Sequence, residues 1–278
     1  MRKFLKMHGL GNDFVIFDFR DGTKLSKNAA KEISDRRTGI GCDQILILKN
    51  SSKKADIAIE IRNSDGSVAK ACGNGSRCVA ELILNETGKK EIVIETIDGL
   101  LKAWKNEKDS KINIDMGKPE FRWEKIPLNK KMDHKSIYLG GYAPSKAFCL
   151  SMGNPHAVFF VDEIEKYKLN EFGPLLETHE TFPDKANISI AKVLTKNKIR
   201  MKIWERGAGI TRACGSGACA VVVAAYELKK INTTCDVILD GGKLTICIET
   251  TGNVILSGPT ETSFEGLVNT RLSKLISN

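Results

Sequence analysis

Two cysteines stand where a thiol could do chemistry rather than fill a core. Cys72 lies in Ala71-Cys72-Gly73-Asn74-Gly75-Ser76-Arg77-Cys78, and Cys214 lies in Ala213-Cys214-Gly215-Ser216-Gly217-Ala218-Cys219. Each opens a loop of small residues that runs directly into an apolar helical pattern. A thiol at a helix N-terminus faces N–H groups without intrahelical partners and the positive end of the helix dipole, which favours the thiolate. The glycine-rich loops also leave N–H groups to hold an anion such as a carboxylate. Two such sites facing each other would clamp one carboxylate with a sulfur on either side. That suits removal of a proton from one face of a carbon and return of a proton to the other. The carbon acid α to a carboxylate is very weak, so its carbanion or enediolate needs donors that strengthen as charge moves onto the carboxylate. Such a site needs one thiolate and one thiol, titrating as a coupled pair.

A C-G-x-G loop alone is a weak signal, because glycines before a helix often serve only a tight turn, and buried cysteines are mostly inert. The repetition changes the balance. Cys72 and Cys214 are 142 residues apart, as are Asn12 and Asn154, each after a glycine, and Asn63 and Glu205. A constant offset at three separated places points to a duplicated half. His156 alone reads as a structural histidine, and Glu205-Arg206 alone as a surface pair. Their places beside the second loop and at a strand end before it favour a role.

The elements that must position these residues follow the same repeat. The first half reads as strands 3–7 and 14–19, a helix 27–37 capped by Ser26, and strands 45–48 and 55–62. After the loop come a helix 76–84 and strands 91–96, 100–104 and 111–116. The second half reads as strands 147–152 and 157–161, a helix 169–179, strands 187–191 and 198–204, and a helix 218–226. Short strands then start at Cys235, Leu244 and Val254. The stretch 118–135 is polar and irregular and reads as a crossing between halves. The helix 218–226 is apolar on every side, so other elements must wrap it. The expected fold is α+β: two pseudo-symmetric domains, each a curved, barrel-like mixed or antiparallel sheet around a central helix. The active site is expected in the cleft between them.

Composition narrows the function. The 278 residues are 41% apolar, enough for two cores, and no window approaches a membrane span or a signal peptide, so a cytoplasmic, membrane-free protein is expected. The net charge of +9 comes from dispersed lysines, and aromatics are only 6%, so nucleic acid is not an expected partner. The eight cysteines form no secreted framework and contain no C-x-x-C, and no metal site is indicated. Cys42, Cys78, Cys149, Cys219, Cys235 and Cys247 read as small core residues.

The chain resembles the diaminopimelate epimerases over nearly its whole length. The residues that carry the resemblance are HGLGNDF (8–14), GIGCDQ (39–44), RNSDGS (62–67), ACGNGSRC (71–78), GNPHAV (153–158), WERGAG (204–209) and TRACGSGACA (211–220). The resemblance implies cofactor-independent interconversion of LL- and meso-2,6-diaminopimelate, in lysine and peptidoglycan-precursor synthesis, by a homodimer. It implies Cys72 and Cys214 as the acid/base pair, and Gly73, Asn74, Gly215 and Ser216 as donors to the carboxylate at the reacting end. Asn12, Gln44, Asn63, Asn154, Asn187, Glu205 and Arg206 match substrate-binding positions, and His156 and Glu205 match residues that tune the cysteines. These types suit a doubly zwitterionic substrate: Arg206 can hold the distal carboxylate bidentately and Glu205 an ammonium. It also implies that Phe264–Leu267 returns to the first domain, giving domains of 1–117 with 263–278, and 118–262. Ser216 stands where threonine is common, and Phe264 where a tyrosine can occur near the family's dimer interface. Two rivals remain: a proline or hydroxyproline racemase, disfavoured by the polar set Asn63, Asn187 and Arg206, and a thiol redox sensor or metal-binding protein using Cys72 and Cys214.

Overall fold

Alternating burial along the chain builds strands, and in each half the strands close over one helix with almost no solvent face. A computed structural model of the chain describes residues 2–69, 72–274 and 276–277. Ala71, which opens the first cysteine loop, lies outside the described residues, as does Asn278 of the C-terminal tail. The chain divides into two compact units, Met1–Ile114 with Gly258–Asn278, and Asp115–Ser257. The expected cuts were after 117 and 262.

In the first unit Lys3–Gly9 pairs antiparallel with both Glu261–Leu267 and Asn12–Asp18. Asn12–Asp18 then runs parallel to Gln44–Lys49, which pairs antiparallel with Ile57–Asn63. Ile57–Asn63 runs parallel to Glu91–Thr96, and Gly99–Lys105 and Ile112–Asp115 follow antiparallel. The second unit repeats the sequence of pairings. Phe148–Ser151 is antiparallel to Pro155–Phe160, which is parallel to Asn187–Thr195, itself antiparallel to Lys198–Glu205. Lys198–Glu205 is parallel to Thr234–Leu239, followed antiparallel by Gly242–Ile248 and Val254–Gly258. The expected return of the C-terminal segment is seen as Phe264 opposite Lys6 and Leu267 opposite Lys3.

Helix α1 (Lys27–Ser34) and its counterpart α3 (Leu169–Glu177) lie outside the sheets, whereas α2 (Gly73–Thr87) and α4 (Gly215–Glu227) lie within them. The Ser26 hydroxyl accepts the Ala29 N–H at 3.1 Å, the N-cap expected from sequence. Both inner helices start three residues earlier than their apolar pattern suggested, with Cys72 and Cys214 as N-caps. Glycine has poor helix propensity, but here the glycines form the first turn because it must approach the sheet closely. A Cβ on Gly217 would come within 2.4 Å of Ile203 Cδ1, and one on Gly75 within 3.0 Å of Leu46 Cδ2.

The stretch 118–135 is irregular, as expected, and opens the second unit, but it also anchors that unit's core. Ile126 and Leu128 are buried with Ile137 and Leu139 in the core of the second unit, against Phe159, Phe172 and Leu176. Its few apolar residues follow neither helical nor strand spacing, so periodicity could not reveal that they anchor a loop. No helix among the described residues is long and apolar enough to cross a membrane.

The Gly217–Ile203 contact gives a test of how tightly the second inner helix is held. Gly217→Ala should lower stability by about 1–3 kcal/mol through overpacking. Adding Ile203→Val, which removes the obstructing methyl, should recover part of the loss in urea unfolding. An alanine variant as stable as the parent would contradict the close approach.

Candidate active site

In the first unit the candidate thiol is the N-cap itself. Cys72 is half-buried, with extended backbone, and its Sγ accepts the Gly75 N–H at 3.3 Å. The first helical hydrogen bond runs from Ser76 N–H to the Cys72 carbonyl at 2.8 Å, so the N–H groups of Gly73 and Asn74 precede the helical ladder. The turn opposite is brought in by two glycines. Gly11 has φ +83°, a left-handed conformation that delivers Asn12, and a Cβ on Gly9 would lie 2.9 Å from Arg77 Nη2. The Asn12 Oδ1 thereby accepts from Asn74 Nδ2 at 3.2 Å and stands 3.8 Å from Cys72 Sγ.

An ion network that the sequence reading missed, running from the buried Lys6 through Asp13 to the exposed Arg36 and Asp43, fixes that turn. The Asp13 carboxylate receives Lys6 Nζ and Arg36, and Arg36 also donates to Asp43. Asp43 accepts from Asn12 Nδ2 at 2.9 Å and from the Asp13 N–H at 3.1 Å. A carboxylate is only an acceptor, so it must face the Asn12 amide nitrogen and turn the amide oxygen toward Cys72. Burial opposes ionisation of Asp13, but the hydrogen bonds from Arg36 and Lys6 outweigh it and hold its pKa well below the usual carboxylate range. Asp13 and Asp43 each sit inside a quoted motif, beside a residue already selected. Lys6 gave no signal, being one lysine among many in a strand. Farther along the same sheet, Gln44 pairs across from Asn63 and donates to its Oδ1 at 2.9 Å, while Asn63 Nδ2 donates to Ser67 Oγ at 3.0 Å. Arg77, fully buried beneath the first turn of α2, also went unselected.

In the second unit the corresponding thiol is buried. Cys214 is 5% exposed, and burial, then the charge of Glu205 and a hydrogen bond to it, pushes its pKa far up. Its Sγ lies 3.6 Å from Ser216 Oγ, which receives Asn154 Nδ2 at 3.4 Å. Asn154 Oδ1 in turn faces His156 Nε2 at 2.9 Å, and Gly153 before it has φ +86°, the counterpart of Gly11. His156 is fully buried; burial, then the nearby Arg206 charge, lowers its pKa to about 3. A neutral ring facing an amide oxygen carries its proton on Nε2, which sets the Asn154 amide and directs its NH2 at Ser216.

Asn187, 3% exposed, spans two backbone groups: its Oδ1 accepts the Arg206 N–H at 3.0 Å, and its Nδ2 donates to the Pro155 carbonyl at 3.0 Å. Arg206 Nη1 donates to the Asp184 carbonyl at 2.9 Å, and Glu205 accepts from the Thr211 hydroxyl. The first unit therefore gathers Cys72, Gly73, Asn74, Asn12, Gln44 and Asn63 along one sheet end and helix start. The second gathers Cys214, Gly215, Ser216, Asn154, His156, Asn187, Glu205 and Arg206. Among the other cysteines, burial raises the Cys78 pKa to about 12 and that of Cys235 to about 11, and also raises those of Cys42 and Cys149. Cys247 is a correction: it is half-buried near the end of Gly242–Ile248, where alternation turns it partly outward, and it accepts from Thr234 Oγ1 at 3.4 Å.

The diaminopimelate epimerase family model matches residues 4–122 and 148–262. The chain belongs to the diaminopimelate epimerase family. It is 47% identical over 268 residues to a diaminopimelate epimerase of Rhodospirillum centenum, covering 96% of this chain and 92% of that one. It is 44% identical to that of Acidiphilium cryptum, covering 95% of each. Among solved structures, a hydroxyproline epimerase from Agrobacterium vitis superposes with a TM-score of 0.70 at 15% identity, over 96% of this chain and 90% of that one. A PhzF-family phenazine biosynthesis protein from Bacillus anthracis gives 0.68 at 17%, over 96% of this chain and 99% of that one. At those identities the likeness shows the fold, the epimerase fold of two pseudo-symmetric α+β domains.

The buried histidine yields a pH test. The unfolded chain protonates His156 near its ordinary 6.5 while the native protein does not until about 3, so the unfolded state binds more protons in that window. Stability should therefore rise by about 1.4 kcal/mol per pH unit from this group as pH increases between those values. Imidazole NMR should show one neutral Nε2–H tautomer from pH 5 to 8. A titration near 6.5 would contradict the assignment.

Proposed function

We propose that the protein epimerises LL-2,6-diaminopimelate to the meso form by a two-base mechanism, with Cys72 and Cys214 acting on opposite faces of one Cα and without a cofactor. The observation that carries this reading is the presence, in both units, of a cysteine N-cap on a buried helix with a matched asparagine beside it, 142 residues apart. The two environments favour different protonation states. At Cys214 burial and Glu205 favour the thiol, so the half-buried Cys72 sulfur, which receives the Gly75 N–H, is assigned the thiolate. The Asn12 oxygen accepts from its S–H once the α-proton has been taken. With LL substrate, the Cys72 thiolate takes the α-proton and the Cys214 thiol supplies one to the other face.

The amide N–H groups of Gly73, Asn74, Gly215 and Ser216 are the donors for the substrate carboxylate. Their interaction strengthens as the carbanion delocalises into it. The distal end of the substrate carries both charges. Arg206 is assigned to its carboxylate, with Asn187 holding the Arg206 backbone, and Asn63 and Gln44 offer neutral amides. Glu205 is assigned an ammonium as well as the Cys214 thiol. His156 acts through Asn154 and Ser216 on the Cys214 sulfur. Asn12, held by Asp43, does the same for Cys72.

The reading places the enzyme in lysine and peptidoglycan-precursor synthesis, in the cytoplasm and as a homodimer. The exposed Phe264 and Leu267 on the C-terminal strand support a contact with a second copy.

Cys72→Ala and Cys214→Ala should each reduce epimerisation at least about a hundredfold, the scale of a lost acid or base. Either variant turning over at the parental rate would defeat the mechanism. Arg206→Met should lower kcat/KM for diaminopimelate about ten- to a hundredfold, since hydrogen bonds to charged groups contribute about 1.5–3 kcal/mol. An unchanged kcat/KM would remove Arg206 from the distal subsite.

A further inference from the structure

The tip of the hairpin formed by Lys198–Glu205 and Gly209–Thr211 carries Glu205 and Arg206. Such a tip is the part of a hairpin with fewest ladder bonds, yet here it must hold two charged side chains in place. Its anchor is a buried carboxylate on the outer helix α3. Glu177, 6% exposed, accepts the indole N–H of Trp204 on Oε2 at 2.7 Å and the backbone N–H of Gly207 on Oε1 at 3.0 Å. Its two oxygens thus grip the residues on either side of Glu205-Arg206. One turn earlier on α3, Gly173 lies flat on the indole, where a Cβ would come within 2.8 Å of Trp204 Cγ and Cδ2. Lys185 Nζ stands 3.5 Å from the same carboxylate and is the charge partner that makes its burial tolerable.

We propose that Glu177 is a positioning residue that sets the Glu205-Arg206 tip for substrate. This rests on the reading of Arg206 as the distal-carboxylate group. The chemistry of the clamp is specific: both oxygens accept, and both facing groups can only donate. An amide in place of the carboxylate must turn its NH2 toward one of those donors, which releases one side of the tip. Glu205 keeps its own restraints, the Thr211 hydroxyl and its ladder partner Gly209. The loss therefore falls on Arg206, which binds the unreacting end of the substrate, and should be felt alike in the ground state and the transition state. It should therefore raise KM more than it lowers kcat.

The experiment compares the parent, Glu177→Gln, Trp204→Phe and the double variant, reading KM and kcat with LL-diaminopimelate and amide exchange in the segment 204–209. Glu177→Gln should raise KM at least tenfold with kcat within about threefold, and speed exchange at the Gly207 amide. Trp204→Phe removes one donor and should raise KM about threefold. In the double variant the glutamine can face Gly207 with its oxygen and no longer opposes an indole N–H. Its KM should then fall below that of Glu177→Gln alone. A purely structural glutamate would lower the melting temperature without this KM split or rescue. KM and exchange within twofold of the parent in Glu177→Gln would overturn the role, and if that variant does not fold, an unchanged KM in Trp204→Phe would do so. A parent with no diaminopimelate turnover would instead defeat the substrate reading, while accelerated Gly207 exchange would still support the clamp.

Discussion

A helix buried along its length inside a sheet has a fixed first turn, and the placement of the candidate site residues depends on that constraint. In α4, Gly217 and the run from Ala218 to Ala225 are buried, so the helix cannot rotate or slide without opening the sheet around it. The end that emerges presents its N–H groups and its capping thiol in one direction. Gly75 and Gly217 are there because a larger residue would press on Leu46 and Ile203 respectively. Packing thus places a thiol and the first-turn amides together at each helix start without needing a flexible loop.

The same scaffold is supplied twice but furnished differently. In the first unit the neighbour of the thiol is an amide, Asn12, oriented by a carboxylate that is itself held in an ion network with Arg36. In the second it is a carboxylate, Glu205, with a neutral buried histidine acting through Asn154 and Ser216. A duplicated fold with unlike neighbours is a direct way to give two chemically identical groups different protonation states. That is what a reaction needing one base and one acid demands.

The sequence made the duplication legible because the offset between halves holds almost without insertion. Helix starts at Gly73 and Gly215 keep it, as do the positive-φ glycines 11 and 153. The site residues that lie next to glycines or at strand ends were legible for the same reason. What the sequence concealed was mostly support. Lys6 and Glu177 are buried charges whose partners are distant in the chain, so no local pattern marks them. The early helix starts were hidden because glycine propensity argues against a helix where packing requires one. Ile126 and Leu128 were hidden because anchors in an irregular loop have no period. Cys247 was misread because an apolar neighbourhood in sequence does not say which face of a strand a residue occupies.

The central claim is that two thiols handle one proton each. The most direct test is epimerisation of LL-diaminopimelate in deuterium oxide by the reduced protein, following isotope at Cα in both substrate and product at low conversion. The account predicts meso product carrying deuterium while recovered LL substrate retains protium, because the group that donates to the product is not the one that took the substrate proton. Protium carried over into the product would require one base serving both faces and would contradict the account. Exchange into proline but not diaminopimelate would reject the substrate.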